Sequence, residues 1–177
     1  MERLPGLVWD FFQDVPAVAQ CLPGAELSGQ DEQGAYEGTL SAKLGPMTAK
    51  FEGKALVARD AATMSATIEG KGVDKKGGSR GQVKVEYTIA EHDDGSRVSV
   101  DADIHLSGPA AQFGRTGLVN EMSRRLIEDF VNCLEAKLEA ETEEEAASIR
   151  ATEVKGLSLF FASLVAWFKG LFGSRDE

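Results

Sequence analysis

Cysteine and histidine are scarce in this chain, with two of each among 177 residues, and that scarcity removes several classes of function at once. Cys21 and Cys133 lie far apart and have no short metal-type spacing, so no metal site is expected and no disulfide framework of the small secreted kind can be read. The first dozen residues hold no basic stretch followed by a long apolar one. No secretory leader is therefore read there, and a reducing cytoplasm is the expected setting. Positive charge is also short: 19 Lys and Arg against 29 Asp and Glu leave a formal net charge of −10. Binding to nucleic acid draws on clustered Lys and Arg that displace counterions, so nucleic-acid partners are excluded. Uninterrupted apolar runs of the ~20 residues needed to span a bilayer are missing as well. What remains is 42% hydrophobic and 27% charged, the composition of an ordinary globular domain, with length enough for one domain and an appendage.

Along the chain, Pro5 followed by Leu7, Val8, Trp9, Phe11 and Phe12 sets apolar groups at helical spacing, and Asp14-Val15-Pro16 opens a second short helix. From Ala35 the period changes to two: Tyr36, Gly38, Leu40, Ala42 and Leu44 alternate with Glu37, Thr39, Ser41 and Lys43. Gly45-Pro46 is turn chemistry, and Met47, Ala49, Phe51, Gly53, Ala55 and Val57 then complete a hairpin. Residues 64–70, 83–89 and 98–106 alternate in the same way, which predicts an antiparallel meander with one wet face. After Gly108-Pro109 the period returns to 3.6, with Phe113, Val119, Met122, Leu126, Phe130, Leu134 and Leu138 on one stripe. The reading is an α+β domain over residues 1–138 in which an antiparallel sheet wraps a long C-terminal helix, the helix-grip arrangement. An acidic connector at 139–154 and a tail at 155–177 follow. An anionic membrane leaflet would repel that connector, so it is expected to act as a tether that holds the body off the bilayer.

Many inward positions of the expected sheet are small. Ala42, Ala49, Gly53, Ala55 and Ala66 share their faces with Leu40, Phe51 and Ile68. Interiors otherwise pack to a density near ~0.75, so such a row implies close approach of neighbours, a bulge or a cavity. The expectation taken forward is a cavity for a hydrophobic ligand, closed by Phe113, Met122, Leu126 and Phe130 of the helix, because folds of this arrangement enclose apolar pockets.

Val8-Trp9, Asp14 and then Cys21-Leu22-Pro23-Gly24-Ala25-Glu26-Leu27 resemble the family of the G subunit of carbon monoxide dehydrogenase. Three further stretches agree in the same order: residues 43–53 (KLGPMTAKFEG), 70–74 (GKGVD) and 111–115 (AQFGR). The resemblance covers about residues 5–138 and implies a START-like (SRPBCC) fold. It further implies an accessory protein of an aerobic carbon monoxide dehydrogenase or related molybdenum hydroxylase, with no catalytic residues of its own. It places Cys21, Leu22, Pro23 and Gly24 at the rim of the pocket. Such dehydrogenases pass electrons toward lipid-soluble quinones, so a quinone is the expected bound ligand and no covalent cofactor is expected. The family carries a further strand ahead of the Pro-x-x-Val-Trp segment, where this chain has only residues 1–4. A late start or a shortened chain is one reading, and the strand at 98–106 should then form an open sheet edge.

The polar motifs point to less. Asp101, Asp103 and His105 alternate on one strand opposite to the inward Val100, Ala102 and Ile104, which predicts that they face solvent. Gly70-x-Gly72 lacks the third glycine and the following helix of a dinucleotide fingerprint. Lys75, Lys76 and Arg80 form a basic loop in an acidic body, suited either to an acidic partner face or to lipid headgroups, or simply solvated. Two rival functions stay open beside ligand binding: a recruitment factor with a filled core, and a cyclase-like enzyme acting on a hydrophobic substrate.

At ~100° per residue, Leu157, Phe160, Phe161, Leu164, Trp167, Phe168, Leu171 and Phe172 fall on one side of a helix, with Lys155, Ser158, Ser163 and Lys169 opposite. Interruption by these polar groups favours lying flat in a membrane surface over crossing it, which makes the chain peripheral on the inner face of the cell membrane. Each large buried side chain contributes on the order of 1.5–3 kcal/mol, so two of them govern several decades of partitioning. On neutral phosphatidylcholine vesicles, Phe161→Glu with Phe168→Glu should abolish sedimentation of the chain. Lys155→Ala with Lys169→Ala should weaken it only mildly.

Overall fold

The computed structural model describes residues 3–44, 47–115, 118–140 and 142–151, and the amphipathic tail at 155–173 lies outside them. Two short helices come first, α1 (Pro5–Gln13) and α2 (Val15–Gln20). Pro5 occupies the first turn of α1, where a missing N–H costs nothing. Asp14 closes α1 and caps α2, its carboxylate accepting the Ala17 N–H at 3.0 Å. Six strands follow: β1 (Ala25–Gln30), β2 (Tyr36–Leu44), β3 (Met47–Asp60), β4 (Ser65–Asp74), β5 (Ser79–His92) and β6 (Gly95–Ser107). All are antiparallel neighbours in chain order, a single meander. A 3-10 segment (Gly108–Arg115), the long helix α3 (Leu118–Glu139) and the short helix α4 (Glu143–Ser148) complete the described chain.

The expected helices and the strands from Tyr36 onward are present, so the α+β reading holds. The sheet has one strand more than the alternation implies, because Ala-Glu-Leu-Ser-Gly-Gln at Ala25–Gln30 holds too little apolar alternation to register as a strand. In the fold it is an edge strand, exposed over most of its length, with its register to β2 broken by a bulge between Leu27 and Gly29. The opposite edge among the described residues is β6.

Register places Ala66, Tyr87 and Val100 in one cross-strand row, and Ile68, Val85 and Ala102 in the next. Since directly opposed residues share a face, these rows define the inner side of the sheet. The main core forms against it: Val8 and Phe12 of α1 and Leu134 of α3 pack with Ala66, Tyr87 and Ile89. Phe12 stands 5.0 Å from the Tyr87 ring and 6.4 Å from the Phe130 ring. A second, smaller cluster joins Ala49 and Ala110 with Ala42, Phe51 and Leu106 at the other end of the sheet. There Gly108 turns the chain at φ +72°, a conformation open to glycine, and the Ala110 N–H donates to the buried Ser79 hydroxyl at 3.0 Å.

Cys21 and Cys133, which the sequence presents as independent thiols, are joined in a disulfide with Cα atoms 5.4 Å apart. The bridge fastens the end of α2 to α3. Beside it the Lys137 ammonium donates to Gln20 Oε1 at 2.9 Å and to the Ala146 carbonyl at 2.6 Å. The Ala151 N–H donates to the Gln20 carbonyl at 3.0 Å. The described part of the acidic connector therefore lies back on the helical pair, where its charge alone suggests a tether reaching away from the body. Burial, and secondarily Arg150, lowers the Lys137 pKa.

A bridge between residues 112 apart in sequence closes a long loop in the unfolded chain, worth on the order of 2–5 kcal/mol. Cys21→Ser with Cys133→Ser should lower unfolding stability by about that amount in urea titrations. Wild-type protein under reducing conditions should match the variant.

Candidate functional site

Between the two clusters the inner face of the sheet is lined by small residues. Gly53, Gly72 and Gly81 form one cross-strand row and Ala55, Gly70 and Val83 the next. The sequence treats such positions as a source of space, and the structure divides them. A Cβ at Gly53 would overlap the Lys71 carbonyl and one at Gly38 the Glu26 carbonyl, so these two glycines serve close strand approach. At Gly70 and Gly72 a Cβ would press on the Val83 side chain (2.9 Å) and the Phe51 Cβ (3.1 Å).

Large apolar groups of the same face stay in contact with water. On the inner face Leu40 is 44% exposed, Val100 60% and Ile104 50%, and Leu126 of α3 is 40% exposed. In register, Leu40 faces Phe51 of the second cluster, Ile104 faces Val83 and Val100 faces Tyr87. Exposure on the inner face thus gathers at Leu40 and along the β6 edge, while Gly70 between the clusters is buried.

Sequence-derived lining residues fall into three groups. Ala66 is buried in the main core, with Ile68 and Phe130 packed against it, and Ala49 is buried in the second cluster, with Ala42 and Phe51 against it. Gly53 and Ala55 lie in the half-buried rows between the clusters, Leu40 is exposed opposite Phe51, and Leu126 is exposed on α3. The side chains of Phe113 and Met122 lie outside the described ones. The rim segment is anchored beside the second cluster: Gly24, at φ +80°, accepts the Ser41 N–H at 2.8 Å, and Ser41 lies between Leu40 and Ala42. Cys21 is fully buried and committed to its disulfide. The membrane-binding set at 157–172 lies outside the described residues.

Ionisable groups concentrate on the opposite, outer face. Lys54 bridges Asp31 and Glu37 at 2.8 Å each, Lys75 reaches Glu52 at 2.5 Å and Lys84 reaches Glu86 at 2.7 Å. The hydrogen bond from Lys54 holds the Asp31 carboxyl below its usual range, and Lys75 does the same to Glu52. Asp101, Asp103 and His105 are exposed along β6, as their alternation predicts. Tyr87 is the one group of shifted acidity on the inner face among the described residues; burial pushes its phenol up, so it stays neutral. The feature that sequence reasoning misses is a basic set on the outer face, Lys43, Lys50 and Lys71, visible in sequence only as alternate residues of strands recognised by their apolar partners.

No helix among the described residues is long and apolar enough to cross a membrane. Among solved structures, a conserved protein from Geobacillus kaustophilus superposes with a TM-score of 0.64 over 77% of this chain and 88% of its own, at 14% identity. That likeness bears on the fold, which is compatible with a START-like one. A protein from Thermus thermophilus gives a TM-score of 0.49 at 15% identity, over 84% of this chain and 92% of its own. No curated protein matches the sequence. The family model for the G subunit of carbon monoxide dehydrogenase (CoxG) matches residues 2–139, nearly the whole described body, and the chain belongs to that family.

Proposed function

We propose that this chain is a membrane-tethered accessory protein of a carbon monoxide dehydrogenase or a related molybdenum hydroxylase, and that its helix-grip body carries a hydrophobic ligand, a quinone. It recruits the enzyme to the membrane or moves the enzyme's electron acceptor from it. The observation that carries the ligand-binding part is the exposure of apolar groups on the inner face, Leu40 beside the second cluster and Val100 and Ile104 along the β6 edge, next to the alanine and glycine rows. Exposed apolar groups gathered in one region mark binding surfaces, and an apolar ligand gains ~25 cal/mol for each Å² it covers there. This favours a carrier over a recruitment factor whose core is filled. Family membership supports the accessory role.

The chemistry of the site supports binding over turnover. A cyclase-like enzyme needs an acid or base aimed at its substrate. Tyr87 packs against Phe12 inside the core, and the carboxylates of shifted acidity sit in ion pairs on the outer face. Attachment to the membrane rests on the tail sequence, whose apolar stripe of Phe160, Phe161, Leu164, Trp167, Phe168 and Leu171 suits a bilayer surface.

Protein purified from its own membranes should release a quinone on solvent extraction followed by mass spectrometry, and a lipid-free preparation would overturn the reading. Ala55→Leu extends from the half-buried row between the clusters and should reduce quinone uptake with little loss of stability. Ala49→Leu, placed in the filled cluster, should instead cost ~1–3 kcal/mol of stability through overpacking. Comparison of the two by quinone titration and urea unfolding separates a cavity from a packed core.

A further inference from the structure

The register of the sheet gathers the loop cations Lys75 and Lys76 with others that are distant in sequence. Lys50 opposes Ser41 and Lys43 opposes Thr48 in the β2–β3 hairpin, Arg80 opposes Val73 beside Glu52, and Lys71 opposes Lys54 one row further on. These positions share the outer face, whose cross-strand neighbours lie ~5 Å apart. Lys43, Lys50, Lys71, Lys76 and Arg80 are all exposed. Among the described residues no ion pair engages any of the five. Of the acids nearby, Asp31 and Glu37 are taken by Lys54, Glu52 is paired with Lys75 and also feels Lys50 and Lys76, and the buried Asp74 carboxylate accepts backbone N–H groups of its own turn.

A chain with net charge −10 that collects cations outside direct ion pairs at one end of one face is polarised. The other end of that face carries Glu69, Glu86, Asp101 and Asp103, so the polarity runs along the sheet. Lys54, opposite Lys71, is held by Asp31 and Glu37, which leaves Lys71 outside any ion pair among the described residues.

We propose that this basic end of the outer face rests on anionic lipid headgroups and orients the body against the bilayer to which the tail holds it. The proposal rests on the membrane attachment described under Proposed function. Two features select a lipid surface over an acidic protein. The cations are mostly lysines, compact charges suited to diffuse attraction by headgroups, whereas protein interfaces favour arginine and deplete lysine. The large exposed apolar groups on this face are Leu56 and Val73, with no aromatic anchor among them. One membrane signal alone binds weakly, and a basic patch beside an apolar insertion supplies the second.

Full-length protein sedimented with vesicles of phosphatidylcholine, or of equal parts phosphatidylcholine and phosphatidylglycerol, tests the assignment. Wild type should bind the mixed vesicles more tightly, and high salt should erase the difference by screening. Lys43→Gln, Lys50→Gln, Lys71→Gln and Lys76→Gln combined should weaken binding to mixed vesicles by roughly 100-fold or more while leaving neutral vesicles unaffected. Exposed lysines bear little on folding, so the variant's unfolding midpoint should stay within error of wild type. A variant that keeps the wild-type preference for mixed vesicles overturns the proposal. So does one that binds both vesicles as wild type does but no longer captures the dehydrogenase, which would make the patch a protein contact. Failure of the tail is read separately, as loss of wild-type binding to neutral vesicles.

Discussion

The contact of Phe12 with Tyr87 on one side and Phe130 on the other is the interaction on which the rest of this structure depends. It joins α1, the middle of β5 and the C-terminal half of α3 in one cluster, with Val8 and Leu134 fully desolvated beside it. Removing apolar area from water is the dominant favourable term in folding, and here it is concentrated at one end of a long sheet. The disulfide and the Lys137 node reinforce the same end from outside the core. The other end is held by a lighter cluster around Ala49 and Ala110.

This uneven distribution has a counterpart on the inner face. Between the clusters lie alanine and glycine rows where neighbouring strands approach closely, while Leu40 and, along the β6 edge, Val100 and Ile104 stay exposed. The outer face follows a different logic, with strand positions occupied by charges in short-range pairs and a basic surplus at the end near the β4–β5 turn. Apolar contact and charge are thus assigned to opposite sides by the two-residue period of the strands.

The strands from Tyr36 onward are legible because each alternates apolar and polar residues over many positions, and the helix at 118–139 because its stripe is long. The edge strand Ala25–Gln30 is not, since an exposed edge with a bulge carries no sustained pattern. The rim residues Leu22 to Gly24 carry a turn that sequence can place, yet their closeness to Ser41 follows from strand pairing. At Gly38 and Gly53 sequence identifies small side chains without distinguishing space from close approach; the carbonyls of Glu26 and Lys71 decide it, and they come from neighbouring strands.

By itself the sequence determined what is local and periodic: the α+β class, the first helices, the inward and outward sides of the strands from Tyr36 onward, the long helix, the family, and the apolar stripe of the tail. Periodicity is a property of adjacent residues, so no partner is needed to read it. Only the tertiary structure decided which distant groups meet. It brought Cys21 to Cys133, set Lys137 between Gln20 and Ala146, buried Ala49 while leaving Leu40 exposed, and gathered Lys43, Lys50, Lys71, Lys76 and Arg80 on one face. Those outcomes depend on strand register and on where the helices come to rest, and both are fixed by the competition of many contacts across the whole domain, which no short stretch of sequence contains.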